Sequence, residues 1–125
     1  MGPKILVVDD SRMIRHQVSA ALMEAGFEVI EATDGLDALS KLDAASHGVS
    51  LVLCDLNMPR MNGLEFLEGA IQMMRGAVPP VVVLTTETDP KQLQRAKDLG
   101  AKGWIIKPFS TELLVATAVK LSQGA

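Results

Sequence analysis

Short apolar runs that stop abruptly on polar residues recur along the chain. Ile5–Val8 ends on Asp9 and Asp10, Leu51–Cys54 on Asp55, Val81–Leu84 on Thr85-Thr86, and Gly103–Ile106 on Lys107-Pro108. Such runs read as parallel strands buried on both faces. Phe27–Glu31 differs, because Glu28 and Glu31 interrupt it, and that alternation suits a sheet edge. Between the runs the period changes to three and four. Ile14, Val18, Ala21, Leu22 and Ala25 predict a first helix, opened by Asp10 or Ser11 and stopped at Gly26. Asp34-Gly35 opens a second, with Leu36, Leu39 and Leu42 as its stripe. Asn62-Gly63 caps a third, carrying Leu64, Phe66, Leu67, Ile71 and Met74. Met73 and Met74 read as gap-fillers at its end. Asp89-Pro90 starts a short polar fourth helix closed by Gly100, and Ser110 caps a last helix, Thr111–Ser122.

Strand and helix alternate five times, a (βα)5 chain. Short, right-handed crossovers then dictate an α/β architecture, a doubly wound parallel five-stranded sheet between two helical layers. Ligands of open α/β sheets bind at the carboxyl ends of the strands. Four of the five runs end there in complementary polar groups: Asp9/Asp10, Asp55, Thr85 and Lys107.

Composition narrows the function classes. At 125 residues, 1–125 reads as one domain, and 48% hydrophobic residues suffice for its core. A net charge of -3 without a basic block speaks against nucleic-acid binding. The longest apolar runs are too short to span a membrane, and MGPKILVVDD is no secretory signal. Leu6 stands where a myristoylation motif needs Ser or Thr. The single Cys54 fits a core position in a reducing, cytoplasmic compartment. His16 and His47 read as exposed, on the first helix and in a loop.

The polar ends suggest phosphate chemistry. Three gathered carboxylates repel one another unless a cation joins them. Mg²⁺ favours a few hard oxygens together with phosphate, and Lys107 adds a point charge for a phosphoryl group. A carboxylate can itself become an aspartyl phosphate. The same set also reads as a carboxylate–lysine network that holds loops together.

Four motifs in order, VVDDS at Val7–Ser11, DLNMPRMNG at Asp55–Gly63, VLTTE at Val83–Glu87 and GWIIKPF at Gly103–Phe109, resemble the response-regulator receiver domain, most closely its stand-alone chemotaxis kind. The resemblance implies a flavodoxin-like sheet in the order 2-1-3-4-5. It implies that Asp55 accepts a phosphoryl group from a histidine kinase. Mg²⁺ would be held by Asp10, Asp55 and the Asn57 backbone carbonyl, with Asp9 acting through water. Thr85 and Lys107 would bind the phosphoryl group, with Thr86 narrowing access to it, and Lys107-Pro108 would be cis. Trp104 takes the place of a switch aromatic that is usually Tyr or Phe, and Asn57 and Glu87 occupy positions that tune dephosphorylation. Leu56 replaces the Trp of some chemotaxis members.

The resemblance also implies an output face on helix 4, strand 5 and helix 5, the surface commonly used in that family. Leu114, Ala118 and Leu121 should face the sheet, flanked by Leu113 and Thr117, leaving Val115 and Val119 outside. With Trp104, and with Lys91, Gln92 and Arg95 on the rim, they form the expected partner face. The output partner would be a separate protein such as a flagellar motor switch protein, and the chain a monomer or weak dimer. A phosphate sink or phosphorelay intermediate is the alternative. An aspartate-nucleophile phosphatase is disfavoured, because Asn57 stands where its acid/base Asp belongs, and three acids at the mouth disfavour a flavin phosphate.

Overall fold

The computed structural model describes residues 2–44 and 48–122, so His47 lies outside the described residues. The elements are β1 (Lys4–Val8), α1 (Arg12–Glu24), β2 (Glu28–Ala32), α2 (Gly35–Ala44), β3 (Val49–Cys54), α3 (Gly63–Met73), β4 (Val81–Thr85), α4 (Pro90–Asp98), β5 (Gly103–Ile106) and α5 (Thr111–Ser122). The five strands form one parallel sheet in the order β2-β1-β3-β4-β5. The interrupted strand is an edge, as its alternation predicted.

Successive residues of a strand point to opposite faces, and the core divides accordingly. Leu6, Val8, Val52, Cys54, Val81 and Val83 pack against α2, α3 and α4, around Leu42, Phe66 and Leu93. Ile5, Val7, Leu51, Leu53, Val82 and Ile105 pack against α1 and α5, around Leu22 and Leu114. The buried stretches of the inner strands, Ile5–Val8, Leu51–Cys54 and Val81–Leu84, are apolar because both faces are covered.

Side-chain caps start each helix where the polar positions predicted. Ser11 Oγ accepts from Ile14 N (3.2 Å), Asp34 Oδ1 from Asp37 N (2.9 Å), and Ser110 Oγ from Leu113 N (3.3 Å). Asn62 and Glu65 close a reciprocal capping box, worth about 1 kcal/mol. Asp89 caps α4 ahead of Pro90. Gly26 and Gly100 lie at φ 97 and 105, where glycine is the favoured residue for leaving a helix.

Several apolar positions are corrected. In α2 the buried positions are Gly35, Ala38 and Leu42, and Leu36 is exposed. Gly35 rather than Leu36 takes the inner position because Met61 packs where a Cβ would stand, 2.6 Å from its Cγ. Ala25 is an exposed C-cap of α1. Leu113 does not flank the core of α5 but points outward, 53% exposed. Met74 packs on the core, whereas Met73 faces outward. His16 is exposed as expected. No helix among the described residues is long and apolar enough to cross a membrane.

Candidate functional site

The polar strand ends meet at one edge of the sheet. Asp9 follows β1 and Asp55 follows β3, which are adjacent in the sheet, and Asp55 N donates to Val8 O (3.0 Å). One carboxylate oxygen from each of Asp9, Asp10 and Asp55 lies within 4.8 Å of the other two. Asp9 and Asp55 are buried, whereas Asp10 is exposed.

Lys107 arrives from the end of β5 and bridges the buried pair. Its Nζ donates to Asp9 Oδ2 (2.5 Å) and Asp55 Oδ2 (3.0 Å). The remaining oxygens accept backbone donors: Asp9 Oδ1 from Ser11 N (2.9 Å), Asp55 Oδ1 from Asn57 N (3.2 Å). Burial raises the Asp9 carboxyl above its ordinary range and outweighs the opposing hydrogen bond from Lys107. At Lys107 the balance reverses. Burial works against its charge, but the bonds to Asp9 and Asp55 prevail and hold the ammonium above the usual lysine value. One partly buried cation thus faces two buried carboxylates and the exposed Asp10, which leaves the cluster net negative.

That excess fits a hard divalent cation. Oxygens about 2.1 Å from Mg²⁺ lie up to about 4.2 Å apart across an octahedron, so three oxygens within 4.8 Å need little contraction. When bound, the ion would neutralise negative charge on a phosphoryl group at this edge.

Asn57 and Thr86 are exposed, and Thr85 is fully buried at the end of β4. Thr85 Oγ1 accepts from Glu87 N (3.1 Å), which leaves its own O–H as a donor. Asn57 Nδ2 donates to Glu87 Oε1 (3.3 Å), so the two side chains touch each other across the mouth. The hydrogen bond from Asp89 N, followed by that from Asn57, lowers the Glu87 carboxyl below its ordinary value. Lys107-Pro108 is cis. Cys54 is buried beneath the site, and burial pushes its thiol far above the usual range, which makes it inert.

The chain's sequence matches the pattern of the response regulator receiver domain over residues 5–119. The chain belongs to that family. It is similar to the chemotaxis protein CheY of Treponema pallidum (strain Nichols), 38% identical over 85% of this chain and 73% of that protein. Chemotaxis protein CheY1 of Helicobacter pylori (strain ATCC 700392 / 26695) is 36% identical over 89% of this chain and 90% of its own length. Among solved structures, Vibrio cholerae chemotaxis protein CheY4 superposes with a TM-score of 0.88 at 40% identity, covering 97% of this chain and 99% of that one. The chain is thus a receiver-type phospho-signalling module with the family's acidic site, and not a classical enzyme. Receiver membership also implies a histidine kinase as phosphodonor.

The positions expected on the partner face fall on two sides of the β5 edge. Trp104, 46% exposed, pairs in register with Val83 and so shares the α4 side of the sheet with Thr85. Lys91, Gln92 and Arg95 are exposed on α4, and Arg95 pairs with Glu68 of α3 (3.3 Å). Helix α5 covers the other side. There Val119 is open, while Val115 is half-buried in a groove with Ala21, Glu24 and Ala25 of α1.

Two arginines beside the site are given no role by the sequence: Arg15 lies outside the motifs, and Arg60 lies within DLNMPRMNG. Arg15 Nη1 donates to Asp9 O (2.7 Å) and its Nε to Glu31 Oε1 (3.2 Å). Arg60 Nε and Nη2 both reach Asp34 Oδ2 at 2.6 Å. Arg60 also holds a left-handed φ of 63, which costs a non-glycine residue about 1 kcal/mol. The only sequence signal for this is an arginine in a turn, and its partner lies 26 residues away.

Proposed function

We propose that Asp55 is the phosphoacceptor of a Mg²⁺-dependent receiver, with residues 1–125 acting as one cytoplasmic module. The observation that carries this reading is Lys107 bridging Asp9 and Asp55 beside Asp10, a partly buried cation already aimed at an acceptor oxygen. An Asp55 carboxylate oxygen attacks the phosphorus of a phosphohistidine. The O–P bond forms as the N–P bond breaks, and the imidazole nitrogen keeps the electron pair. Asp9, Asp10, Asp55 and the Asn57 carbonyl would hold the metal, Asp9 through water. Lys107 stays close enough to compensate charge on the phosphoryl oxygens. The free Thr85 O–H donates to them, Thr86 limits access, and Asn57 with Glu87 orients the water that later removes the group.

Thr85 and Trp104 share one face of the sheet, which supports Trp104 as the side chain that follows Thr85. The output would be a change in the face formed by Lys91, Gln92, Arg95, Trp104, Val115 and Val119, read by a separate protein. The chemotaxis names of the relatives favour a flagellar motor switch protein as that partner, with the chain itself a monomer or weak dimer.

Incubation with acetyl phosphate tests the site. A single base- and hydroxylamine-labile phosphoryl group, formed only with Mg²⁺ and absent in Asp55→Asn, is the expected result. Labelling that persists in Asp55→Asn, or on Ser or Thr, overturns the assignment.

A further inference from the structure

Four of the five strand ends supply a group to the site, and β2 supplies none. The segment that ends it, residues 31–34, is nevertheless tied to both loops that carry the acids. Asp9 N donates to Ala32 O (3.1 Å), continuing the β1–β2 ladder into the site. Glu31 accepts from Arg15, whose other end holds the carbonyl of Asp9. Asp34 accepts the fork of Arg60, from the loop between Asp55 and α3. Beside that fork, Gly35 N donates to Met61 O (3.0 Å) and Met61 packs against Gly35, so the loop is seated on the start of α2.

The two arginines differ in arrangement: Arg15 bonds Glu31 and the Asp9 carbonyl at once, whereas both Arg60 donors meet one Asp34 oxygen. Each pair joins one largely buried side chain to one exposed side chain: Arg15 is 13% and Glu31 45% exposed, Asp34 5% and Arg60 60%. Arg15 thus ties an acid of the β2 end to the loop of Asp9 and Asp10, and Arg60, itself part of the loop that follows Asp55, ties that loop to the other acid. Neither touches a reacting group, and loss of a group that orients metal ligands from behind costs about tenfold to a hundredfold in metal affinity.

We infer that the end of β2 is the positioning element of the metal site: Glu31 through Arg15 and Asp34 through Arg60 hold the two acid-bearing loops at the spacing the cation needs. The inference rests on the reading of Asp9, Asp10 and Asp55 as a Mg²⁺ site. Its particular consequence is one of sign. Arg60 is a cation near an acidic cluster, so on Coulomb's law alone its removal strengthens Mg²⁺ binding. Loss of a positioning contact weakens it.

Mg²⁺ titration by isothermal calorimetry on the full chain separates the two. Arg60→Gly keeps a residue suited to the left-handed backbone and deletes only the fork. Asp34→Asn keeps an oxygen to cap α2 and loses the charge. The expected result is about tenfold weaker Mg²⁺ binding in Arg60→Gly, in line with other loss of ligand-orienting contacts. Asp34→Asn should weaken it similarly, the double variant no further than either single one, and Arg15→Met should behave as Arg60→Gly does. Arg60→Lys, which keeps the charge, should recover part of the loss. Arg60→Gly binding as tightly as wild type or tighter overturns the inference, and so does simple additivity of the Arg60 and Asp34 changes. If the wild-type chain takes up no Mg²⁺, the functional reading itself falls, and this inference with it.

Discussion

The two edges of the sheet are built in opposite ways. At the β2 edge charges close the exposed backbone: Lys41 Nζ donates to Glu31 O, and Arg15 pairs with the Glu31 carboxylate. Charged side chains of this kind keep an edge from pairing with another chain. Strand β5 carries no charge, and Trp104 and Ile106 stand 46% and 40% exposed on it. Both edges touch the site, but differently. The β2 end reaches it through side-chain clasps to two loops. The β5 edge reaches it through Lys107 itself and through the backbone bond from Lys107 N to Thr85 O (2.9 Å). In the proposed function the first edge restrains the site and the second reports on it, its exposed apolar side chains forming the surface offered to a partner.

The largest test of that contrast removes the link between the edges. Asp55→Asn should abolish labelling by acetyl phosphate and, with it, every phosphorylation-dependent change at the β5 edge, as read by intact mass and Trp104 fluorescence together. A preserved fluorescence response without labelling would separate the β5 edge from the site.

Asn57 lies between the edges and touches Glu87. Asn57→Leu breaks that bond and the water's orientation, and should slow loss of the phosphoryl group by about tenfold or more. Decay at the wild-type rate removes Asn57 from the mechanism. Thr85→Ala should leave labelling in place but suppress most of the Trp104 fluorescence change on adding beryllofluoride with Mg²⁺. Trp104 is the sole tryptophan, so the signal is unambiguous. A full response in that variant would show that the β5 edge does not follow Thr85.

Val119→Lys should weaken partner binding or self-association while Asp55 still labels, because Val119 is open and distant in the chain from every site residue. Val115→Glu tests the same face from within the α1/α5 groove, where its carboxylate would meet Glu24. Normal binding by both variants moves the docking surface elsewhere.

The smallest effect belongs to the β2 edge. Backbone bonding from Asp37, followed by the Arg60 fork, holds the Asp34 carboxyl below its ordinary value of 3.8. A depressed carboxyl stabilises the fold above its unfolded pKa, and that contribution fades as pH falls through the folded value. The melting temperature of the wild type should therefore drop more steeply below about pH 4 than that of Asp34→Asn. Parallel pH profiles would show that the clasp contributes nothing to folding.

The order of elements, the caps and the four chemical strand ends were legible because each is local. Apolar run length, a three-to-four period and a capping residue are properties of neighbours in the chain. The family motifs added the strand order and a role for each residue, since their spacing leaves few other readings. Amphipathic faces were less legible where a stripe was ambiguous. Leu36 and Leu113 look like core residues by type, and only the packing of Met61 on Gly35 and of Leu114 and Ala118 on the sheet turns them outward. The bridge from Lys107 to Asp9 and Asp55 spans 98 and 52 residues, and the Arg60 fork spans 26. The sequence by itself determined which groups the chain brings to the sheet edge. Tertiary structure alone decided which of them share a proton donor, which loops are clasped and which edge stays bare, because a hydrogen bond is chosen by distance in space and periodicity carries no information about it.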